Sequence, residues 1–177
     1  MELNSLPAHS LPAQLKLFNF AKKEVSLSGQ YQISDLPRIS EIASNKTDKI
    51  NINLSFYLDN DKTPCIDGII SLDVLLACQR CLGELPISLK VNFNLAFVSN
   101  EKLGKELDSH YEIYVTEEEE LSTQDLICDE ILLSIPMVPT HDYDCVELIT
   151  KQEIVEEKAE NPFAILKNIK IADNGKE

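Results

Sequence analysis

Alternating apolar and polar residues dominate the middle of the chain and predict β-strands. Apolar residues share one parity over residues 50–58, 69–78 and 85–97, and a shorter segment of the same kind covers residues 111–115. A period of two places every second side chain on one face, so each segment is predicted to be a strand with one buried face. Because short turns join the long segments and parallel strands need long crossovers, we predict one antiparallel sheet that is curled or barrel-like.

Helical spacing predicts a few helices around this sheet. Ser122 with Asp125 three residues later forms a capping-box pattern that opens an amphipathic helix over residues 123–135, which Pro136 ends. Short helices are predicted over residues 36–44 and in the terminal stretch "NPFAILKNIK". The predicted fold class is therefore α+β, with one amphipathic helix packed on the sheet and short terminal helices. Residues 1–150 are predicted to form a single domain, and residues 151–177 a charged tether and a C-terminal helix.

The charge of the chain is concentrated in one third of the sequence. The net charge is −14, and residues 101–160 hold 18 Asp and Glu against 4 Lys and Arg. Such a segment repels phosphate backbones and attracts basic proteins, although a charge run can also be a solvated face. The chain has no apolar run of about 18 residues, and its start shows no secretory signal, so we expect a cytoplasmic protein that does not enter a membrane.

Four residues could form a zinc site: Cys78, Cys81, His141 and Cys145. The stretch "CQRCLGEL" puts a C-x-x-C pair at a predicted hairpin tip, and His141 with Cys145 supplies an H-x3-C second half. Arg80 between the thiols would favour the thiolate form. Two alternatives remain open. The thiols could only pack, in a turn for which Gly83 supplies the permissive backbone, or they could form a redox pair, which requires the motif at a helix start.

The remaining chemistry-bearing residues predict no enzyme. The chain has five cysteines, and Cys65 and Cys128 are assigned to packing. It contains no glycine-rich phosphate loop and none of the common hydrolase, metalloprotease or kinase signatures. A cryptic nuclease or redox enzyme is disfavoured because no compact set of carboxylates and no activated thiol is visible in the sequence.

Three stretches together resemble one known family. The "CQRCL" hairpin, the helix leading to "ILLSIPMVPTHDYDC" and the terminal "NPFAILKNIK" occur in an order similar to that of the bacterial YceD family, the large ribosomal RNA subunit accumulation proteins. The resemblance implies a role in synthesis, processing or stability of 23S ribosomal RNA, with no established catalytic activity. Some members carry a second C-x-x-C where this chain has His141 and Cys145, which implies a shared four-ligand site in those relatives.

Resemblance and charge together suggest the partner. An acidic protein tied to ribosomal RNA is expected to bind a basic protein, such as a ribosomal protein or a processing factor. Direct contact with nascent ribosomal RNA is the other possibility, through a local set of cations: Lys22, Lys23, Arg38, Arg80, Lys167 and Lys170. A zinc-stabilised cytoplasmic adaptor unrelated to ribosomes is the alternative function. The oligomeric state cannot be derived from the sequence.

Overall fold

The computed structural model describes residues 11–105 and 107–145 and consists of two β-sheets with short helices. The predicted tether and C-terminal helix, residues 151–177, lie outside the described residues. In chain order the elements are β1 (Gln14–Lys16), α1 (Leu17–Lys22), β2 (Ser26–Gln32), a 3-10 turn (Ile33–Asp35), α2 (Pro37–Ile42), β3 (Lys49–Leu58), β4 (Pro64–Ala77), β5 (Glu84–Val98), α3 (Glu101–Gly104), β6 (Glu112–Val115), β7 (Glu120–Ser122) and α4 (Thr123–Ser134).

The long strands pair as the alternation predicts. The main sheet has the order β2-β3-β4-β5-β6, and the pairs β2–β3, β3–β4 and β4–β5 are antiparallel. In this register Ile52 lies opposite Ile70, and Ile70 lies opposite Val91, so the apolar residues of neighbouring strands share one buried face. β1 and β7 form a separate two-stranded sheet.

The prediction of a wholly antiparallel, barrel-like sheet is wrong. β6 pairs in parallel with the end of β5, where Leu95 lies opposite Glu112 and Val98 opposite Val115. Residues 99–111 between these strands carry α3 and are long enough for the crossover that a parallel pair needs. The described sheet is open rather than a closed barrel, with β2 and β6 as its edges.

Helix α4 begins where the capping pattern predicts and packs on the core. The Ser122 hydroxyl accepts a hydrogen bond from the Asp125 N–H at 3.3 Å, and the helix stops shortly before Pro136. The apolar side chains that the helix buries are Leu126, Ile127 and Ile131. Within the described ranges, no helix has both the length and the apolar character needed to cross a membrane. The helix therefore closes one side of the hydrophobic core, and the chain leaving it runs into residues 135–145.

Candidate metal centre

The C-x-x-C pair lies in the turn that joins β4 and β5. Cys78 directly follows β4, and its N–H donates to the Gly83 carbonyl at 2.9 Å. The Leu82 N–H donates to the Cys78 carbonyl at 2.8 Å, and Leu82 has a left-handed φ of 61°. The permissive backbone expected at Gly83 is thus found at Leu82 instead. These hydrogen bonds fix a tight turn in which the sulfur atoms of Cys78 and Cys81 lie within 4.8 Å of each other.

A second segment, residues 139–145, lies against this turn. The Gln79 N–H donates to the Pro139 carbonyl at 2.8 Å. The Arg80 guanidinium donates to the carbonyl of His141 and, at 3.0 Å, to that of Tyr143. Hydrogen bonds to backbone carbonyls therefore join the hairpin turn to the chain that leaves α4.

Four side chains converge between the two segments: Cys78, Cys81, His141 and Cys145. Their ligand atoms all lie within 4.8 Å of one another. Cys78 Sγ is 3.8 Å from Cys145 Sγ, and Cys81 Sγ is 3.5 Å from His141 Nδ1. With Zn–S bonds of about 2.3 Å and Zn–N bonds of about 2.0 Å, tetrahedral geometry places two sulfurs about 3.8 Å apart and a sulfur and a nitrogen about 3.5 Å apart. Both observed distances match the edges of a tetrahedral zinc site.

The imidazole of His141 is oriented by its outer nitrogen. Nε2 lies 3.0 Å from the Glu84 carbonyl oxygen, which accepts a hydrogen bond and cannot donate one. The proton is therefore on Nε2, and Nδ1 presents its lone pair to the cluster. The ring also stacks on Tyr143, with the two centroids 4.7 Å apart. An imidazole with its outer N–H held by a carbonyl is the arrangement that metal-binding histidines use.

The cluster favours ionisation of one thiol over another. Burial opposes ionisation of Cys78, but hydrogen bonds from the backbone of Cys81 and Arg80 outweigh it and lower the pKa of this thiol to about 5. Burial and the neighbouring sulfurs of Cys81 and Cys78 raise the pKa of Cys145 to about 11. Burial, together with a neighbouring sulfur anion 3.8 Å away, therefore disfavours the thiolate form of Cys145. A divalent cation between the sulfurs would remove this repulsion and deprotonate both.

A set of four protein ligands suits a structural metal site. Zinc with four protein ligands has no open position for substrate or water, so the cluster is not arranged for metal-assisted catalysis. The redox alternative requires the C-x-x-C at the start of a helix, and the pair instead lies in a β-hairpin turn. The structure thus brings the four predicted ligands together, and zinc binding by them stays a prediction.

The two remaining cysteines are buried, as predicted for packing residues. Cys65 is 0% exposed and lies within β4, rather than in the turn before it, and Cys128 is 2% exposed on α4. Neither belongs to the group of converging ligand atoms.

Comparison with known proteins decides the family. The family model described as Large ribosomal RNA subunit accumulation protein YceD matches residues 66–170. The Large ribosomal RNA subunit accumulation protein YceD of Haemophilus influenzae is 30% identical over 167 residues, which cover 90% of this chain and 96% of the relative. This chain belongs to the YceD family. The YceD match spans both segments of the Cys/His cluster, and no solved structure matches the chain.

Sequence reasoning found the four cluster residues of this YceD-family chain but missed what holds them in place. Arg80 favours the thiolate form as predicted, since its backbone acts to lower the pKa of Cys78 and its charge acts to lower that of Cys145. The contacts of its guanidinium with the carbonyls of His141 and Tyr143 were not predicted. The partner of the His141 ring is a backbone carbonyl, that of Glu84, which leaves no signal in the sequence. Glu130 was also missed, although a carboxylate within the apolar spacing of α4 is a visible irregularity.

Proposed function

We propose that this protein is a non-catalytic cytoplasmic factor that supports synthesis, processing or stability of 23S ribosomal RNA. Family membership carries the proposal, because the family and the Haemophilus influenzae relative are both named for accumulation of the large ribosomal RNA subunit. The protein acts by binding a basic partner, either a ribosomal protein or a processing factor. A zinc-stabilised adaptor unrelated to ribosomes would use the same cluster but has no support from the family.

Zinc bound by Cys78, Cys81, His141 and Cys145 has a structural role in this proposal. The bound ion would cross-link the β4–β5 turn to the segment after α4 through bonds to thiolates and an imidazole. The distances of 3.8 Å between two sulfurs and 3.5 Å between sulfur and nitrogen support this assignment. Without such a cross-link, hydrogen bonds and the ion pair between Arg80 and Asp144 would hold the 139–145 segment to the hairpin turn.

An exposed acidic loop supports a basic protein partner. Glu117, Glu118 and Glu119 are exposed in the chain between β6 and β7. Glu120 lies 3.4 Å from the Lys16 ammonium, so part of its charge is already compensated. The three preceding carboxylates would attract a basic protein over roughly one Debye length, about 10 Å at 0.1 M salt.

The cations proposed for RNA contact are partly engaged elsewhere. Arg38 forms an ion pair with Asp129, and Arg80 donates to the carbonyls of the 139–145 segment. Lys167 and Lys170 lie outside the described residues. A protein partner therefore agrees with the described surface better than a phosphate backbone does.

Sucrose-gradient sedimentation of a lysate tests this function. The tagged protein should co-migrate with precursors of the large ribosomal subunit, and cells lacking the protein should contain less 23S RNA. Replacing Glu117, Glu118 and Glu119 together by Gln should weaken co-migration, most strongly at low salt, because long-range attraction is lost.

The matched control removes the same number of charges from other exposed positions. The triple variant Glu41→Gln, Asp61→Asn and Glu101→Gln, all at exposed sites, should co-migrate like the unmodified protein. Absence of the unmodified protein from every ribosomal fraction would contradict the proposed function. Equal loss in both triple variants would contradict a specific role of the acidic loop.

A further inference from the structure

A groove runs between the edge strand β6 and helix α4. It encloses about 390 Å³ and is lined by carboxylates of Glu112, Asp129 and Glu130 together with apolar side chains. Two of the apolar residues are well exposed, Ile113 at 38% and Leu133 at 78%. The groove therefore combines negative charge with an apolar wall, a composition that suits a segment carrying both basic and apolar side chains.

Within the part of the chain that the structure describes, Glu130 is a buried carboxylate without a cationic partner. It is 7% exposed, whereas exposed positions are usual for glutamate. Among residues 11–105 and 107–145, no Lys, Arg or His nitrogen lies within 4.0 Å of its carboxylate oxygens. The groove's arginine, Arg38, is already paired with Asp129. Glu130 lines the groove, and its carboxylate oxygens, which have no hydrogen-bond partner among the described residues, are not fully buried, so a cation that enters the groove could reach them.

The electrostatics of the groove disfavour the charge that Glu130 carries. Burial, with Glu112 and Asp129 nearby, raises the pKa of Glu130 to about 7. An unpaired buried carboxylate destabilises a fold, and such groups in native proteins commonly mark a binding function. A lysine or arginine supplied from outside would pair with Glu130 and offset the repulsion from Glu112, because Asp129 is already paired with Arg38.

Strand β6 offers a backbone template beside this groove. It is an edge of the main sheet and pairs with β5 on one side, while no described strand pairs with its other side. Exposed strand edges carry unpaired N–H and C=O groups and accept an additional strand from a partner. The side chains of such a strand alternate, so one residue would enter the groove while its neighbours point away.

We propose that this groove binds an extended basic segment of a partner protein, which adds to the edge of β6 and places a lysine or arginine against Glu130. This inference rests on the proposed function and specifies where its basic partner docks. Charge complementarity identifies the occupant, because three carboxylates and one engaged arginine line the groove.

Two other ligand classes fit less well. A divalent metal needs several ligand atoms at one point, and within the described part of the chain the Cys/His cluster is the group that meets this condition. RNA would bring phosphates toward Glu112, Asp129 and Glu130, which repel them. A basic peptide satisfies both the charge of the groove and the free edge of β6.

A direct binding experiment uses the full chain and a defined probe. The probe is a fluorescent decapeptide of alternating lysine and valine, titrated at pH 8 and low salt and followed by anisotropy. Saturable binding is expected, and Glu130→Gln should weaken it about tenfold, because a charge-assisted pair is lost. The matched control Asp61→Asn, at an exposed position between β3 and β4 and outside both the groove and the acidic loop, should change the affinity by less than about twofold.

The backbone contribution is tested with the same peptide N-methylated at alternate amides. Methylation should weaken binding and remove the protection that the unmodified peptide gives to residues 112–115 in hydrogen exchange. Equal affinity of Glu130→Gln and Asp61→Asn for the peptide would overturn the inference, as would protection elsewhere than at β6. A single-stranded RNA that competes with the peptide and binds more strongly than it would also overturn the inference, if no removal of a charge in the groove weakens the binding of that RNA.

Failure of this inference can be distinguished from failure of the proposed function. If Glu130→Gln weakens peptide binding but keeps full co-migration with large-subunit precursors, the groove is not where the ribosomal partner docks, so this inference fails and the proposed function stands. If the peptide binds as expected while the protein is absent from ribosomal fractions, the docking site is supported and the proposed function is contradicted.

Discussion

Replacing Glu130 by Gln should stabilise the protein at alkaline pH. The pKa of Glu130 is raised from 4.5 to about 7 by burial and by the charges of Glu112 and Asp129. An acid whose pKa is higher in the folded than in the unfolded state contributes stability below its unfolded pKa, and this contribution is lost as the pH rises through its folded pKa. The unmodified protein should therefore lose stability between about pH 5 and pH 8, relative to a variant with no charge at this position.

The size of this stability difference follows from the shift in the pKa of Glu130. A shift from 4.5 to about 7 corresponds to roughly 3 kcal/mol at full ionisation, because one pKa unit is about 1.4 kcal/mol. The groove is open to water on one side, and solvent screening reduces the expected gain to about 1–2 kcal/mol. In a domain of this size such a gain raises the melting temperature by roughly 3–8 °C.

Thermal unfolding of both proteins across pH 5–8.5 measures this difference. The two melting temperatures should coincide near pH 5, where Glu130 is protonated, and diverge above pH 7 with Glu130→Gln the more stable. The control Glu118→Gln, at an exposed loop position, should stay within about 0.5 kcal/mol of the unmodified protein at every pH. Lower stability of Glu130→Gln than of the unmodified protein at pH 8 would refute the interpretation of Glu130 as a buried carboxylate without a cationic partner. A stability difference that does not depend on pH would refute it as well.

Two further predictions concern the main sheet, and denaturant unfolding measures both. Gly68→Ala should destabilise the folded protein by about 1–3 kcal/mol, since the new Cβ would lie 1.9 Å from the Phe93 ring. An unchanged denaturant midpoint of unfolding would show that the ring moves freely. Leu89→Asp should destabilise by about 1–3 kcal/mol, because this side chain packs against the core, whereas Lys90→Asp on the exposed face should change stability by less than about 0.5 kcal/mol. Equal effects at the two positions would contradict the assigned parity.

The long strands were predictable because their side chains obey one local rule. Ile50, Ile70 and Val91 each belong to a run of alternating residues, and each is buried. Hairpins join these strands, so antiparallel pairing followed from short connections alone. The capping pattern at Ser122 was equally local, and the helix begins there.

Features that depend on distant contacts were not predictable in the same way. β6 is short, and local alternation of apolar and polar residues does not show in which direction it pairs with β5. Cys81 and His141 are 60 positions apart, so residue types could suggest a shared site but could not show that the chain returns to the hairpin. Glu130 became notable only once its burial and the groove beside it were known.

We predict that one zinc ion joins the hairpin turn to the segment after α4. Metal analysis of protein purified without chelator should find about one zinc per chain, because four ligands define one tetrahedral site. Cys81→Ser should lose this zinc, and Cys65→Ala, at a buried position outside the cluster, should retain it. Metal-free unmodified protein, or equal zinc in Cys81→Ser, would contradict zinc binding by these four residues.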